Sequence, residues 1–262
     1  MNILETIVAQ KKKEVEEKKA ITSIDALMKN VSGNSYSLKD SLNASQGAGI
    51  IAEFKRKSPS KGWIHEHINV TEVVPAYEAN GAAAASILTD KNFFGGDLED
   101  LKSARHQTKI PLLRKDFMID EYQLYEAKSF GADVILLIAA CLSKQQTKEL
   151  AKKAKELKLE VLLEIHSEKE LDYVCDEVDV IGINNRNLET FKTDVQISVE
   201  LIKKIHFDKP LISESGIDNI ETILQLHDLG FKGFLIGEYF MKQQNPAIAF
   251  ADFMNQLKAN LQ

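Results

Sequence analysis

Short apolar runs rich in β-branched residues recur along the chain at residues 50–54, 84–88, 110–114, 134–139, 161–165, 180–184, 210–213 and 233–236. Each is followed by a stretch that reads as a helix. The repeat averages about 26 residues, the length of one strand, one helix and two short connections. The runs are apolar on both parities, as in parallel strands covered on both faces. Between them, Ser143 opens a stretch with Leu150, Ala151, Ala154 and Leu157 on one face. Ser167-x-x-Glu170 and Asp218-x-x-Glu221 read as capping boxes, in which two side chains satisfy each other's orphan backbone donors. Gly230 reads as a C-terminal stop. Pro75 predicts that the helix within residues 70–80 starts near Val74. Eight such units predict an α/β chain, a (β/α)8 TIM barrel, with a doubly wound open sheet as the alternative. No glycine-rich dinucleotide fingerprint follows the first run, which disfavours the open sheet.

Residues before the first run differ in character. Ile3, Leu4, Ile7 and Val8 share one helical face, and residues 10–19 are almost all Lys and Glu, expected as a solvated helix face. The chain is therefore divided into an N-terminal helical extension, 1–45, packed on a catalytic barrel, 46–262. Its 262 residues, 44% hydrophobic and 27% charged, suit a soluble globular protein large enough to need no disulfide or metal staple. A net charge of −6 argues against a nucleic-acid partner. Cys141 and Cys175 have no paired spacing, which fits a reducing cytosol. The longest apolar run, 134–142, is far shorter than the ~20 residues that span a bilayer. The first residues lack the basic-then-apolar pattern of a signal peptide. No membrane association and a cytoplasmic location are expected.

Barrel enzymes place their chemistry at the C-terminal ends of the strands. A period of two puts Ile51, Glu53 and Lys55 on one face of the first run. The third ends near Lys115, the fifth at Glu164, the sixth at Asn184 and Asn185, the seventh at Glu214 and Ser215. If these converge, two lysines stand among three glutamates. So many buried charges are a poor device for stability alone, although a salt-bridge network closing the barrel top is the structural alternative. Desolvation and like charges are expected to shift a lysine into use as a general acid near neutral pH. A second group concerns phosphate. Ser58 follows the first run, Ser215 and Gly216 the seventh, and Gly237 the eighth, where barrel loops offer converging backbone N–H groups. Arg56, Lys57 and Lys61 make the first loop basic, suited to an anionic small molecule. Phe93, Phe94 and Phe117 suit either a wall for an aromatic ligand or lid packing. His65-Glu66-His67 reads as polar loop rather than a metal site, Cys141 as a buried inert thiol, and His166 as facing the helix layer.

The segment 51–62 (IAEFKRKSPSKG) resembles the first-strand motif of the indole-3-glycerol phosphate synthase family. Segments 113–117 (LRKDF), 162–165 (LLEI), 182–188 (GINNRNL) and 213–217 (SESGI) resemble its later motifs in the same order. The likeness runs from about residue 47 to the end, and the helical extension also resembles the family's. It implies ring closure with loss of CO2 and water from 1-(2-carboxyphenylamino)-1-deoxyribulose 5-phosphate, a step of tryptophan biosynthesis. By resemblance Lys115 is the acid for the ketone oxygen, while Lys55, Glu53 and Glu164 share the dehydration. Asn184 and Glu214 position. Arg186 pairs with the substrate carboxylate. Ser58, Ser215, Gly216 and Gly237 hold phosphate, and Phe94, Phe117 and Leu188 complete the binding residues. Where some relatives carry Ser, this chain has Glu238, expected to lend only its backbone N–H and to turn its side chain away. The resemblance implies no cofactor and no metal, a phosphorylated small molecule as partner, and a monomer or at most a weak homodimer. A Schiff-base aldolase using Lys115, and a barrel serving as a scaffold, are the rival readings.

Overall fold

A computed structural model describes residues 3–29, 31, 35–45, 48–188 and 190–261. The boundary drawn at residue 45 thus abuts Gln46 and Gly47, which lie outside the described residues, as do Met1 and Asn2 of the leader reading. Eight parallel strands close into a barrel: β1 (Gly49–Phe54), β2 (Ala84–Leu88), β3 (Leu112–Lys115), β4 (Val134–Ile138), β5 (Glu160–Ile165), β6 (Val180–Asn184), β7 (Leu211–Glu214) and β8 (Gly233–Ile236). The open sheet is thereby excluded. β8 pairs with β1, placing Ile51 level with Leu235 on one side and Ala84 on the other. Alternation along each strand then makes two cores. Ile51, Leu113, Leu136, Leu162, Val180 and Ile212 fill the barrel. Ile50, Ala52, Phe54, Ile135, Leu163 and Ile181 pack outward against the helices.

Several helix boundaries depart from the sequence reading. The first barrel helix is Val70–Ala79 and begins four residues before Val74. Asn69 caps it, and Val70, Val73, Val74 and Tyr77 bury one face, which outweighs the single backbone bond that Pro75 forfeits. Ser143 forms a capping box with Gln146. Ser167 makes no such box. Glu170 accepts the His166 N–H at 2.5 Å instead, and the segment Glu168–Tyr173 is a 3₁₀ helix. Asn219, not Asp218, caps Ile220–Asp228, accepting from the Thr222 N–H at 2.8 Å. Gly230 ends that unit at φ +112°, the left-handed conformation that glycine adopts without strain.

The N-terminal segment touches both ends of the barrel. Helix Leu38–Ala44 lies across the N-terminal ends of the strands. Glu160 accepts the Leu38 N–H at 2.7 Å, and Ser41 Oγ donates to the Ala83 carbonyl at 2.6 Å. Leu38 and Leu42 enter the interior core. A Cβ on Gly49 or Gly233 would stand 2.8 or 2.6 Å from Leu42 Cδ2, so both strands need glycine where the plug seats. Helix Ile3–Ile21 reaches the opposite end, where Ile3, Leu4 and Ile7 line the mouth.

Its charged run is solvated on one side only, where Lys12, Lys13, Glu16 and Glu17 are exposed. Lys11 is 1% exposed and pairs with Asp90 and Asp116 at 2.9 Å each and with Glu14 at 2.8 Å. Lys18 pairs with Glu126 at 3.1 Å and Lys19 with Asp120 at 2.7 Å. Burial opposes a charge on Lys11, but the three carboxylates outweigh it and hold the ammonium well above the usual lysine range. Among the described residues, no helix is long and apolar enough to cross a membrane.

Candidate active site

A cavity of about 500 Å³ opens at the C-terminal ends of the strands, and the fifteen residues that the family resemblance picks out all line it. The strand ends supply its charged floor. Glu53 leaves β1 on the interior parity, and Lys55, two residues on, pairs with it at 2.8 Å. Lys115, the last residue of β3, reaches Glu164 Oε2 at 2.8 Å and Glu214 Oε2 at 2.9 Å. Asn184 donates to Glu164 Oε1 at 3.1 Å. Backbone register sets this grouping, since Glu164 is level with Gly182, and Asn184 with Glu214. Two glycines make room for it. A Cβ on Gly182 would lie 2.2 Å from Glu214 Oε1, and one on Gly237 would lie 2.5 Å from Glu53 Oε1.

The charges settle unequally. Burial by itself would lower Lys115, but Glu164, Glu214 and Glu53 outweigh it and raise the ammonium well above the ordinary lysine range. This overturns the expectation of a lysine tuned toward neutrality. Burial pushes Glu164 up, yet Lys115 and His166 together hold it below the usual carboxylate range. Glu214 goes the other way. Burial raises it, with the Glu164 and Glu53 charges adding to the rise, and together they outweigh the pull of Lys115. Glu214 Oε1 is buried with no hydrogen-bond partner among the described residues. Lys115 is thus held as a cation, and of its two glutamate partners Glu214 takes up a proton more readily than Glu164.

The loops supply the rest. After β1 the chain forms a small hairpin pairing Lys57–Ser58 with Gly62–Trp63, which buries Ser58. Among the described residues the Ser58 hydroxyl has no partner there. Ser215 and Gly216 are successive left-handed residues at φ +67° and +74°, an arrangement costly for serine. Asn185 fixes it from below. Its amide donates to Ser213 Oγ at 2.9 Å and to the Ser215 carbonyl at 3.0 Å, while its oxygen accepts from Ser198 Oγ at 2.8 Å. Asn185 is thus structural. Phe94 and Phe117 face each other with centroids 6.1 Å apart, while Phe93 does not line the cavity.

Other expectations need correction. Arg56 is drawn off to Asp100 and the Ile68 carbonyl, and Lys57 to the Asn92 carbonyl, so of the basic loop only Lys61 reaches the cavity. Lys61 ends on Glu238, whose other oxygen lies 4.0 Å from Arg186. The Glu238 side chain is therefore held among the cations of the mouth. His166 shares the parity of Glu164 and stands between it and the 3₁₀ helix: its Nε2 lies 3.3 Å from Glu164 Oε1 and its Nδ1 3.7 Å from Glu170 Oε2. Burial, with Glu164 and Glu170 adding to it, raises the Cys141 thiol to about 12, keeping it unreactive as expected. The sequence reading also missed the roof, where Ile3, Leu4 and Ile7 join Phe191 over the opening. Their shared apolar face was visible, but not what it covered.

A closed (β/α)8 barrel whose strand ends gather two lysines and three glutamates in one cavity, ringed by serine and glycine loops, defines a barrel enzyme working through charged side chains. The sequence model described as indole-3-glycerol phosphate synthase matches residues 4–253. The chain is 51% identical over 259 residues to the indole-3-glycerol phosphate synthase of Bacteroides thetaiotaomicron, covering 98% of this chain and 99% of that one. With the protein of that name from Campylobacter jejuni subsp. doylei it shares 44% over 248 residues, 93% and 96% of the two chains. The chain belongs to the indole-3-glycerol phosphate synthase family. Tryptophan synthase subunit alpha of Legionella pneumophila matches with a TM-score of 0.63 over 86% of this chain and 97% of its own. At 12% identity that likeness shows the barrel fold alone.

Proposed function

We propose that the chain converts 1-(2-carboxyphenylamino)-1-deoxyribulose 5-phosphate to indole-3-glycerol phosphate, CO2 and water, as a carboxy-lyase of tryptophan biosynthesis. The observation that carries this reading is Lys115 held as a cation between two carboxylates, facing a second lysine–glutamate pair across one cavity. When the ring carbon bearing the carboxylate attacks the ketone, the oxygen becomes an alkoxide, a far stronger base than any lysine. Lys115 donates a proton to it, and the adjacent glutamates keep the donor charged beforehand. The resulting iminium accepts the electrons of the breaking C–C bond, so CO2 leaves with no further electron sink. Dehydration then needs an acid at the departing hydroxyl and a base for one proton. Lys55, Glu53 and Glu164 share those tasks.

Asn184 and Glu214 hold this cluster in place. Ser58, Ser215, Gly216, Gly237 and the backbone of Glu238 take the phosphate, Arg186 the carboxylate, and Phe94, Phe117 and Leu188 the aryl ring. The extension 1–45 roofs the catalytic barrel 46–262. A monomer is the working unit of this reading. The cytoplasm is its compartment, in keeping with two cysteines that are both free. A Schiff-base aldolase needs Lys115 as a neutral amine, the form its carboxylate neighbours disfavour.

The test is growth of indole fluorescence when purified protein meets the substrate without added cofactor. Lys115→Ala should lower the rate by about 10²–10⁴-fold, the usual worth of a positioned acid. No fluorescence from folded wild-type protein, with borohydride trapping of a carbonyl substrate on Lys115, would replace this reading by the aldolase.

A further inference from the structure

His166 stands one residue past β5 and does not line the cavity, yet it touches a residue that does. Its Nε2 lies 3.3 Å from Glu164 Oε1, and its Nδ1 lies 3.7 Å from Glu170 Oε2. Both ring nitrogens are buried, and among the described residues neither makes an aligned hydrogen bond, to these carboxylates or to any other group. A neutral imidazole has one N–H and one bare lone pair. Here the bare nitrogen would face a carboxylate oxygen away from water, whichever tautomer formed. An imidazolium presents a donor to each carboxylate and removes that repulsion. Glu170 is fixed for this task by the His166 backbone N–H, at 2.5 Å.

The surroundings agree. Glu164 receives Lys115 on Oε2 and Asn184 on Oε1, with His166 closing its remaining side. Glu170, His166, Glu164 and Lys115 thus follow one another toward the mouth, a carboxylate alternating with a basic group. The other titratable group facing the ring's partners is the neutral Cys141 thiol, from the turn after β4. Burial disfavours charge on the ring, but Glu164 and Glu170 outweigh it and raise it to about 9.

We propose that His166 is a positioning residue: an imidazolium braced by Glu170 that fixes the orientation and the charge of the Glu164 carboxylate inside the cavity. Its kinetic consequence rests on the function proposed above, whereas its charge state does not.

Two measurements test it. An NMR titration of the His166 ring in the wild-type protein should show it charged through pH 8, and Glu170→Gln should bring its transition down toward the ordinary imidazole range. In steady-state assays, His166→Gln keeps one donor and removes the charge. It should lower kcat about tenfold with KM within about twofold, and move the acid limb of kcat/KM to higher pH because Glu164 takes up a proton more readily. Should His166→Gln not fold, Glu170→Gln gives the same shift of the acid limb with the histidine in place. A wild-type ring that titrates below pH 7, or profiles of both variants superimposable on wild type, would overturn the proposal. Absence of indole formation by the wild type would sink the proposed function, and the titration would still decide the charge of His166.

Discussion

Glu238 sets a carboxylate beside the glycine and serine positions assigned to phosphate, where two anions would repel. Lys61 and Arg186 gather on it instead, so the carboxylate fills an anion's place between cations that come from two different loops. Burial pushes Glu238 up, but Lys61, Lys55 and Arg186 hold it below the usual carboxylate range. A ligand phosphate has to enter next to this charge and to share its cations. Removing the charge should therefore tighten anion binding. We expect Glu238→Gln to improve inhibition by inorganic phosphate about two- to fivefold at fixed ionic strength, the scale of one partly exposed ion pair. An unchanged inhibition constant would mean that the phosphate sits beyond reach of Glu238. At the same scale, Gly182 and Gly237 act by having no side chain, since each leaves space for a working carboxylate.

The N-terminal helix is held to the barrel by electrostatics at Lys11 and by packing at Ile7, both on its buried side. Burial opposes the charge on Asp116, but Lys11 and Arg114 hold it well below the usual carboxylate range. A depressed folded-state pKa gives stability that is complete above the unfolded aspartate value, about 3.9, and is lost as pH falls below it. Lys11, raised in the fold, adds stability present below its unfolded value, about 10.4, and lost only above that. The clamp is therefore constant from about pH 5 to 9 and opens in acid. Lys11→Met leaves Asp90 and Asp116 buried without this partner and should cost about 3–5 kcal/mol in urea unfolding. It should also flatten the acid slope and raise KM as the roof over the aryl wall loosens.

Elements also show what a sequence can disclose. All eight strands fall within two residues of the apolar runs, because burial on both faces leaves a mark in every strand. The site followed, since barrel topology brings strand ends together whatever their spacing. Partners remote in sequence were not legible. Nothing near Lys11 announces Asp90 or Asp116, so a buried ion reads as a solvated one. Ser167-x-x-Glu170 has the letters of a capping box, but Glu170 is taken by the His166 N–H. A pattern of letters does not say which of two nearby donors wins.

Across the whole molecule, the first 45 residues fasten both ends of the barrel, with Leu42 below and Ile3, Leu4 and Ile7 above. Loss of the plug should be felt globally. Leu42→Ala empties a site lined by β1 and β8 and should cost about 2–5 kcal/mol in a single cooperative urea transition. A separate early transition, with the barrel signal intact, would show instead that the segment unfolds on its own. The socket for Leu42 has a consequence for how the protein is made. One wall is Gly49 and the other is Gly233, near the opposite end of the chain. A ribosome therefore releases the plug long before it has made the second wall, and Leu38 and Leu42 stay without their final cover for most of translation. The segment synthesised first is among the last to be sheltered from proteases, and a nascent chain stalled before β8 should be cut there while its middle strands are already protected.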